Sequence, residues 1–273
     1  MSGRLYVVGT PIGNLGDMSP RAVETLRLVD FIAAEDTRVT VKLLNHFEIK
    51  KEMLSYYEHN KKLKGNLIIE RMLKGESCAL VSDAGMPAIS DPGEDLVRKA
   101  RQVGIEVESV PGPSALITAI SISGFPCGRF CFEGFLSMNK MSRRVHLEEL
   151  QTEKRSMVFY EAPHKLPATL KDMLKYFGDR RIVLIRELTK IHETVTHSTL
   201  KEMSEFYEEN SPKGEFVLIV EGCIKEEKVY SLEDAIDIAN RLVSEGSSTS
   251  AAAREAAEIT HIKKGDIYKA ILN

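Results

Sequence analysis

The sequence predicts an α/β protein, with two α/β domains in succession and a small helical appendage. Three observations carry this. Short apolar runs alternate with amphipathic segments through the first part of the chain. Glycine and proline then break the rhythm at "ISISGFPCG", and after "KEEKVY" the pattern turns alanine-rich and helical. The boundaries that follow are 1–120 for the first α/β domain, 121–224 for a second with a mixed sheet, and 225–273 for a helix-turn-helix-like tail. A length of 273 residues, large for one core, agrees with this division.

Each element has a local reason. "RLYVVGT" reads as a strand, and "SPRAVETLRLV" as a helix that Ser19 can cap, with Pro20 at its first position. "DFIAAED" is a second strand, "TRVTVKLLNHF" a helix, and "EMLSYYE" a third strand; "KKLKGNLIIERMLKG" is then a helix stopped by Gly75. "CALVSDAG" is a strand running into a turn, "PGEDLVRKARQVG" a helix and "EVESVPG" a last strand. Regular alternation of this kind implies a mostly parallel sheet covered by helices.

In the second part, "RFCFEGFL", "SMVFYEA", "RIVLIREL", "ETVTHSTL" and "GEFVLIVEG" read as strands, with helices around 142–153, 165–177 and 200–210. "RIVLIREL" and "ETVTHSTL" lie too close for a helical crossover, which predicts an antiparallel hairpin. The tail reads as three short helices, about 232–245, 250–259 and 264–272, whose alanines are expected to pack on the protein itself.

Composition limits the function. Hydrophobic residues make up 43% and charged residues 28%, with a formal net charge of −3, so any nucleic-acid contact must come from a local patch. Cys78, Cys127, Cys131 and Cys223 form no zinc-ligand pattern and read as buried, reduced thiols; no metal site is expected. The N-terminus lacks a signal pattern and no apolar run is long enough to span a bilayer, so a soluble cytoplasmic protein is expected.

The turns carry the chemistry. "GTPIGNLGD" (9–17), "AEDTR" (34–38), "SDAGMPAISDPG" (82–93) and "VPGPSA" (110–115) all follow the carboxyl ends of expected strands, where open α/β sheets bind ligands. "FYEAPHKL" (159–166) and "RELTK" (186–190) occupy similar places in the second part. The glycines of 9–17 match neither a dinucleotide fingerprint nor a phosphate-binding loop, which disfavours a dinucleotide-dependent oxidoreductase.

In their order, "VVGTPIGNLGD", "AAEDTR", "LVSDAG-PAISDPG", "VPGPSA" and "RELTK-HE" resemble the tetrapyrrole-methylase superfamily of S-adenosylmethionine-dependent methyltransferases. Within it, the likeness is to members that methylate the ribose 2′-oxygen of a cytidine in the decoding region of 16S rRNA. The resemblance implies the two-domain class III methyltransferase fold, S-adenosylmethionine as cofactor, the small ribosomal subunit as partner and a homodimer. It further implies that Pro11, Asp83, Ala84, Ser114 and Ala115 contact the cofactor, and that Tyr160, Leu188 and Phe216 close over it. Met86 stands where the family commonly has threonine. Asp83 could serve the cofactor or merely cap its turn.

A ribose hydroxyl is a weak nucleophile and gains from a nearby base. Glu35 and Asp36 are the candidates, with Arg38 to fix a phosphate or orient a carboxylate; alternatively, Asp36 caps the next helix and Arg38 forms an exposed ion pair. Arg186, Glu187 and Glu193 are second choices, while His192 and His197 read as structural or exposed. For RNA, Lys140, Arg143 and Arg144 cluster at the start of a helix, where cations oppose the dipole and phosphate contacts would explain them; Lys165 adds a cation near the cleft. The rivals are a tetrapyrrole C-methyltransferase on the same scaffold and a nucleic-acid-binding module with a vestigial pocket.

Overall fold

The computed structural model describes residues 2–224 and 230–272. The first half alternates as the sequence predicts: β1 (Arg4–Val8), α1 (Pro20–Leu28), β2 (Phe31–Ala34), α2 (Thr37–His46), β3 (Glu52–Ser55), α3 (Lys61–Leu73), β4 (Cys78–Val81), α4 (Glu94–Gln102) and β5 (Glu106–Val110). The five strands form one sheet in the order β3-β2-β4-β1-β5, every neighbouring pair parallel. β2 and β4 are buried at every residue because helices cover both faces. On one face Leu5, Phe31 and Leu80 pack with Ile68, Met72 and Leu96 of α3 and α4; on the other Val8, Ile32 and Val81 pack with Ala22, Leu26 and Leu44 of α1 and α2. Ser19 caps α1, its side chain accepting from the Ala22 N–H, and Pro20 opens the helix.

A helix that the sequence reading passed over follows: α5 (Ala115–Ile122), an almost wholly apolar segment without the amphipathic period that signals a surface helix. The expected domain boundary at 120 falls inside it. Ala119 and Ile120 pack with Val158, Val183 and Val217 of the second sheet. That sheet is built from β6 (Phe130–Phe135), β7 (Ser156–Glu161), β8 (Arg181–Arg186), β9 (Thr194–Thr199) and β10 (Phe216–Val220), in the order β6-β7-β10-β8-β9. β6 and β7 run parallel and the other pairs antiparallel, so the sheet is mixed, and β8 and β9 form the expected hairpin. The helices α6 (Lys140–Glu149), α7 (Leu166–Phe177) and α8 (Leu200–Glu209) cover its far face through Leu147, Leu170, Met173 and Leu200.

The tail is a compact unit of its own: α9 (Leu232–Ser244), α10 (Thr249–Thr260) and α11 (Lys264–Leu272), packed around Ala235, Ala239, Ala253, Ala256 and Ile267. The alanines of α10 thus meet neighbouring tail helices, as expected. The expected start of the tail at 225 lies outside the described residues. Among the described residues no helix is long and apolar enough to cross a membrane. The cysteine reading needs correction: Cys78 is buried, its thiol pushed up to about 12 by burial, but Cys127 is exposed in the glycine- and proline-rich link.

Candidate active site

The turns at the carboxyl ends of β1, β4 and β5 are packed directly on one another. A Cβ on Gly9 would lie 2.7 Å from the Gly112 Cα, and one on Gly112 would lie 2.8 Å from the Gly9 carbonyl oxygen. Next to this contact, the Thr10 N–H donates to the Gly85 carbonyl at 2.9 Å and the Gly85 N–H donates back at 3.1 Å. Gly13, at φ +144°, lies against the "RELTK" turn, where a Cβ would meet the Lys190 Cγ at 2.7 Å. Gly9 and Gly13 serve the close approach of turn to turn, and the cradle they build is made of several loops.

Below these turns lies a cavity of about 480 Å³, within the range of small-molecule sites. The first half contributes Ile12, Glu35, Asp83–Met86, Ile89–Asp91, Ser114 and Ala115; the second contributes Phe135, Tyr160–Pro163, Leu188 and Glu215–Val217. Asp83, Ala84, Met86, Ser114, Ala115, Tyr160, Leu188 and Phe216 are therefore brought to one place, as expected. Pro11 is not on the wall; its neighbour Ile12 is. Sequence reasoning missed Asp91, although the "SDAGMPAISDPG" turn containing it was singled out, because nothing local tells which residues of a long turn face inward. It also missed Phe135, whose place at the end of β6 gave no sign of where that strand points.

The wall is acidic. Glu35, Asp83, Asp91, Glu161 and Glu215 line the cavity, and among the described residues neither lysine nor arginine does. Loss of water around the half-buried Glu35 raises its pKa, and the nearby Asp91, Asp83 and Asp36 carboxylates add to this. Burial likewise raises Asp91, partly offset by a hydrogen bond with Ser82, and raises Asp83, which sits nearer solvent. Burial also pushes the Tyr160 hydroxyl up to about 12, and its ring is set edge-on to Phe132 and Phe135 at 5.0 and 5.6 Å.

Asp36 and Arg38 do not line the cavity. The Asp36 carboxylate caps α2 by accepting the Arg38 N–H at 2.8 Å and pairs with the Arg38 guanidinium at 2.6 Å, which holds its pKa down at about 2. The capping alternative is thus realised. Arg186, Glu187 and Glu193 brace the "RELTK" turn. The Glu187 carboxylate accepts from the Glu215 N–H and the Lys190 ammonium, both at 2.9 Å, Glu193 accepts from the Thr189 N–H at 2.6 Å, and Arg186 donates to the Lys213 carbonyl at 2.7 Å. Glu187 and Thr189 both have left-handed backbones, at φ 54° and 68°, and the bracing holds Leu188 between them in the cavity wall. His192 and His197 are exposed.

The basic cluster divides. Asn139 caps α6, and Arg143 in its first turn is only 15% exposed, pairing with Asp172 of α7 at 2.7 Å. Arg143 therefore has a structural partner, contrary to the dipole argument that set it beside its neighbours as a phosphate ligand. Arg144 is 57% exposed and pairs along the helix with Glu148 at 2.8 Å. Lys140 opens α6 and Lys165 precedes α7, two residues beyond the cavity residue Pro163.

Residues 4–204 match the family model of tetrapyrrole (corrin/porphyrin) methylases. The chain belongs to this family. It is 46% identical over 269 residues to ribosomal RNA small subunit methyltransferase I of Synechocystis sp., covering 98% of this chain and 96% of that protein. It is 49% identical to the protein of the same name from Xylella fastidiosa, covering 97% and 98%. In fold it resembles the uroporphyrin-III C-methyltransferase of Thermus thermophilus, solved in complex with S-adenyl homocysteine, with a TM-score of 0.57 at 17% identity, covering 80% of this chain and 97% of that one.

Proposed function

We propose that this chain is an S-adenosylmethionine-dependent methyltransferase that modifies the ribose 2′-oxygen of a cytidine in the decoding region of 16S rRNA, acting on the small ribosomal subunit as a homodimer. The observation that carries the cofactor is the cavity itself: several carboxylates and apolar side chains, with no lysine or arginine on the wall among the described residues. Such a wall favours a sulfonium and an ammonium and repels phosphate. The ribosomal names of the relatives favour the RNA acceptor over the tetrapyrrole alternative.

When bound, the cofactor supplies a methyl group on positively charged sulfur, whose leaving group is neutral. Ile12, Met86, Leu188 and Phe216 would exclude water around it, and the first turn of α5 at Ser114 and Ala115 would offer backbone N–H groups to its carboxylate. Met86 offers a thioether where a threonine hydroxyl would stand, so this part of the wall is apolar. Glu35, whose burial raises its proton affinity, takes the proton of the ribose hydroxyl. Asp36 and Arg38 act as positioning residues: the Asp36 N–H donates to Asp83 at 3.0 Å, which keeps the Glu35 turn in register with the cavity. Lys140, Arg144 and Lys165 contact phosphates around the acceptor.

The test uses small subunits from cells that lack this methylation. Incubation with the protein and S-adenosylmethionine is expected to add one ribose methyl, mapped to one cytidine. Methylation of a tetrapyrrole precursor with no rRNA product would overturn the reading.

A further inference from the structure

A second cavity of about 570 Å³ opens beside the first and shares Glu35, Ile89, Ser90 and Asp91 with it. The rest of its wall comes from the turn between β3 and α3, carrying Tyr57 and His59, from Lys61 at the start of α3, and from the turn after β4 and the start of α4. The cofactor reading uses none of these. Adjacent tyrosines leave β3 in opposite directions: Tyr56 is buried in the core at 1%, while Tyr57 is 41% exposed. The turn is held in place, because the Tyr57 N–H donates to the Asn60 side chain at 2.9 Å and the Asn60 amide donates to the Ser55 carbonyl at 3.1 Å. A flat ring is thus held out at the cavity wall, edge-on to His59 at 6.1 Å.

The charge of this wall decides what can enter. Among the described residues Lys61 is the only lysine or arginine on it, and its ammonium is already matched by Glu58 at 2.6 Å and Asp95 at 3.3 Å. With Glu35, Asp91 and Glu94 added, the cavity repels phosphate but accepts hydrogen bonds from neutral donors such as hydroxyls and exocyclic amines. A ring for stacking and carboxylates for amines together suit a nucleoside whose phosphates stay outside.

We propose that this second cavity is the acceptor pocket: one nucleoside of the RNA, turned out of its strand, stacks its amine-bearing base on Tyr57 and directs its ribose to the wall shared by Glu35 and Asp91. The inference rests on the rRNA methyltransferase reading and names the place where that substrate reacts. Extrusion of the base lets the attached sugar reach past the shared wall towards a donor held in the first cavity.

The experiment compares wild type, Tyr57→Ala and Tyr57→Phe in ribose methylation of undermethylated small subunits, with S-adenosylhomocysteine binding followed by calorimetry. Tyr57→Ala is expected to lower kcat/KM for the particle roughly tenfold or more, the worth of one stacked base. S-adenosylhomocysteine affinity should stay within about twofold, and Tyr57→Phe, which keeps the ring, should stay near wild type. Wild-type turnover by Tyr57→Ala would overturn the pocket and leave the enzymatic reading standing. Equal loss of S-adenosylhomocysteine binding would show a structural role for Tyr57 and overturn it as well. A wild-type protein that methylates no rRNA would instead overturn the reading beneath the inference.

Discussion

Asp83 and Glu35 are hooked together through the backbone: the Asp83 N–H donates to the Glu35 carboxylate at 3.4 Å, and the Asp83 carboxylate accepts the N–H of Asp36 at 3.0 Å. The two turns follow β2 and β4, which are neighbours in the sheet, so the hook fixes one wall of the cavity against another. Removing the carboxylate in Asp83→Ala leaves the Asp36 N–H to water, at a cost of about 0.5–1.5 kcal/mol, the net worth of one hydrogen bond at a solvent-accessible site. Urea denaturation should show that loss, and ribose methylation should fall further than stability explains. Asp83→Asn retains an acceptor and should recover most of the stability.

Glu35→Gln keeps the size of the side chain and the acceptor oxygen for Asp83 but cannot take a proton. Ribose methylation is expected to fall by roughly 10²–10⁴-fold, the usual worth of a positioned base, with S-adenosylhomocysteine affinity retained. A mutant that restores full methylation in deficient cells would remove Glu35 from the mechanism.

The raised pKa values of Glu35 and Asp91 give a pH test with a definite sign. A carboxyl raised in the folded state favours the protonated form, so its contribution to stability is full below the ordinary carboxylate range and is lost as pH rises through the raised value. The ligand-free protein is therefore strained by these groups once pH rises above their raised values, and a cation beside them relieves the strain. The advantage of S-adenosylmethionine over its neutral thioether product in thermal stabilisation should grow as pH rises from the acid side towards neutrality. Glu35→Gln should flatten that dependence; an unchanged difference across pH would argue that the sulfonium does not face these carboxylates.

The basic residues of α6 should separate experimentally. Arg143→Ala breaks the pair with Asp172 and should lower stability by about 1–3 kcal/mol, because the partner is a charged, partly buried acceptor. Lys140→Glu with Arg144→Glu should leave the melting temperature nearly unchanged and reduce turnover on the small subunit. If the pattern is reversed, Arg143 is the phosphate ligand after all.

Gly9→Ala tests the contact of turn on turn. The added carbon would sit 2.7 Å from the Gly112 Cα, and backbone cannot rotate away as a side chain can. Overpacking of about 1–3 kcal/mol is expected, with weakened S-adenosylhomocysteine binding measured on the same sample. Gly104→Ala is a useful contrast for space alone, since nothing lies within 4 Å of its added carbon, although its φ of +77° still carries a backbone cost.

By itself, the sequence determined the alternation of strands and helices, the cap at Ser19, the β8–β9 hairpin and the set of turns that meet at the cavity, while it offered the cap at Asp36 only as an alternative to a catalytic role. These are legible because they are local: a period of apolar residues, a capping side chain two or three residues before its N–H, or a link too short to cross a sheet. Only the tertiary structure decided that α5 packs on the second sheet, that Ile12 rather than Pro11 faces the cavity, that Arg143 belongs to Asp172, and that Tyr57 stands at the wall of a second cavity beside Asp91. Each of those depends on partners distant in sequence, and the free energy that chooses an inward face or an ion-pair partner exists only once those distant segments have met.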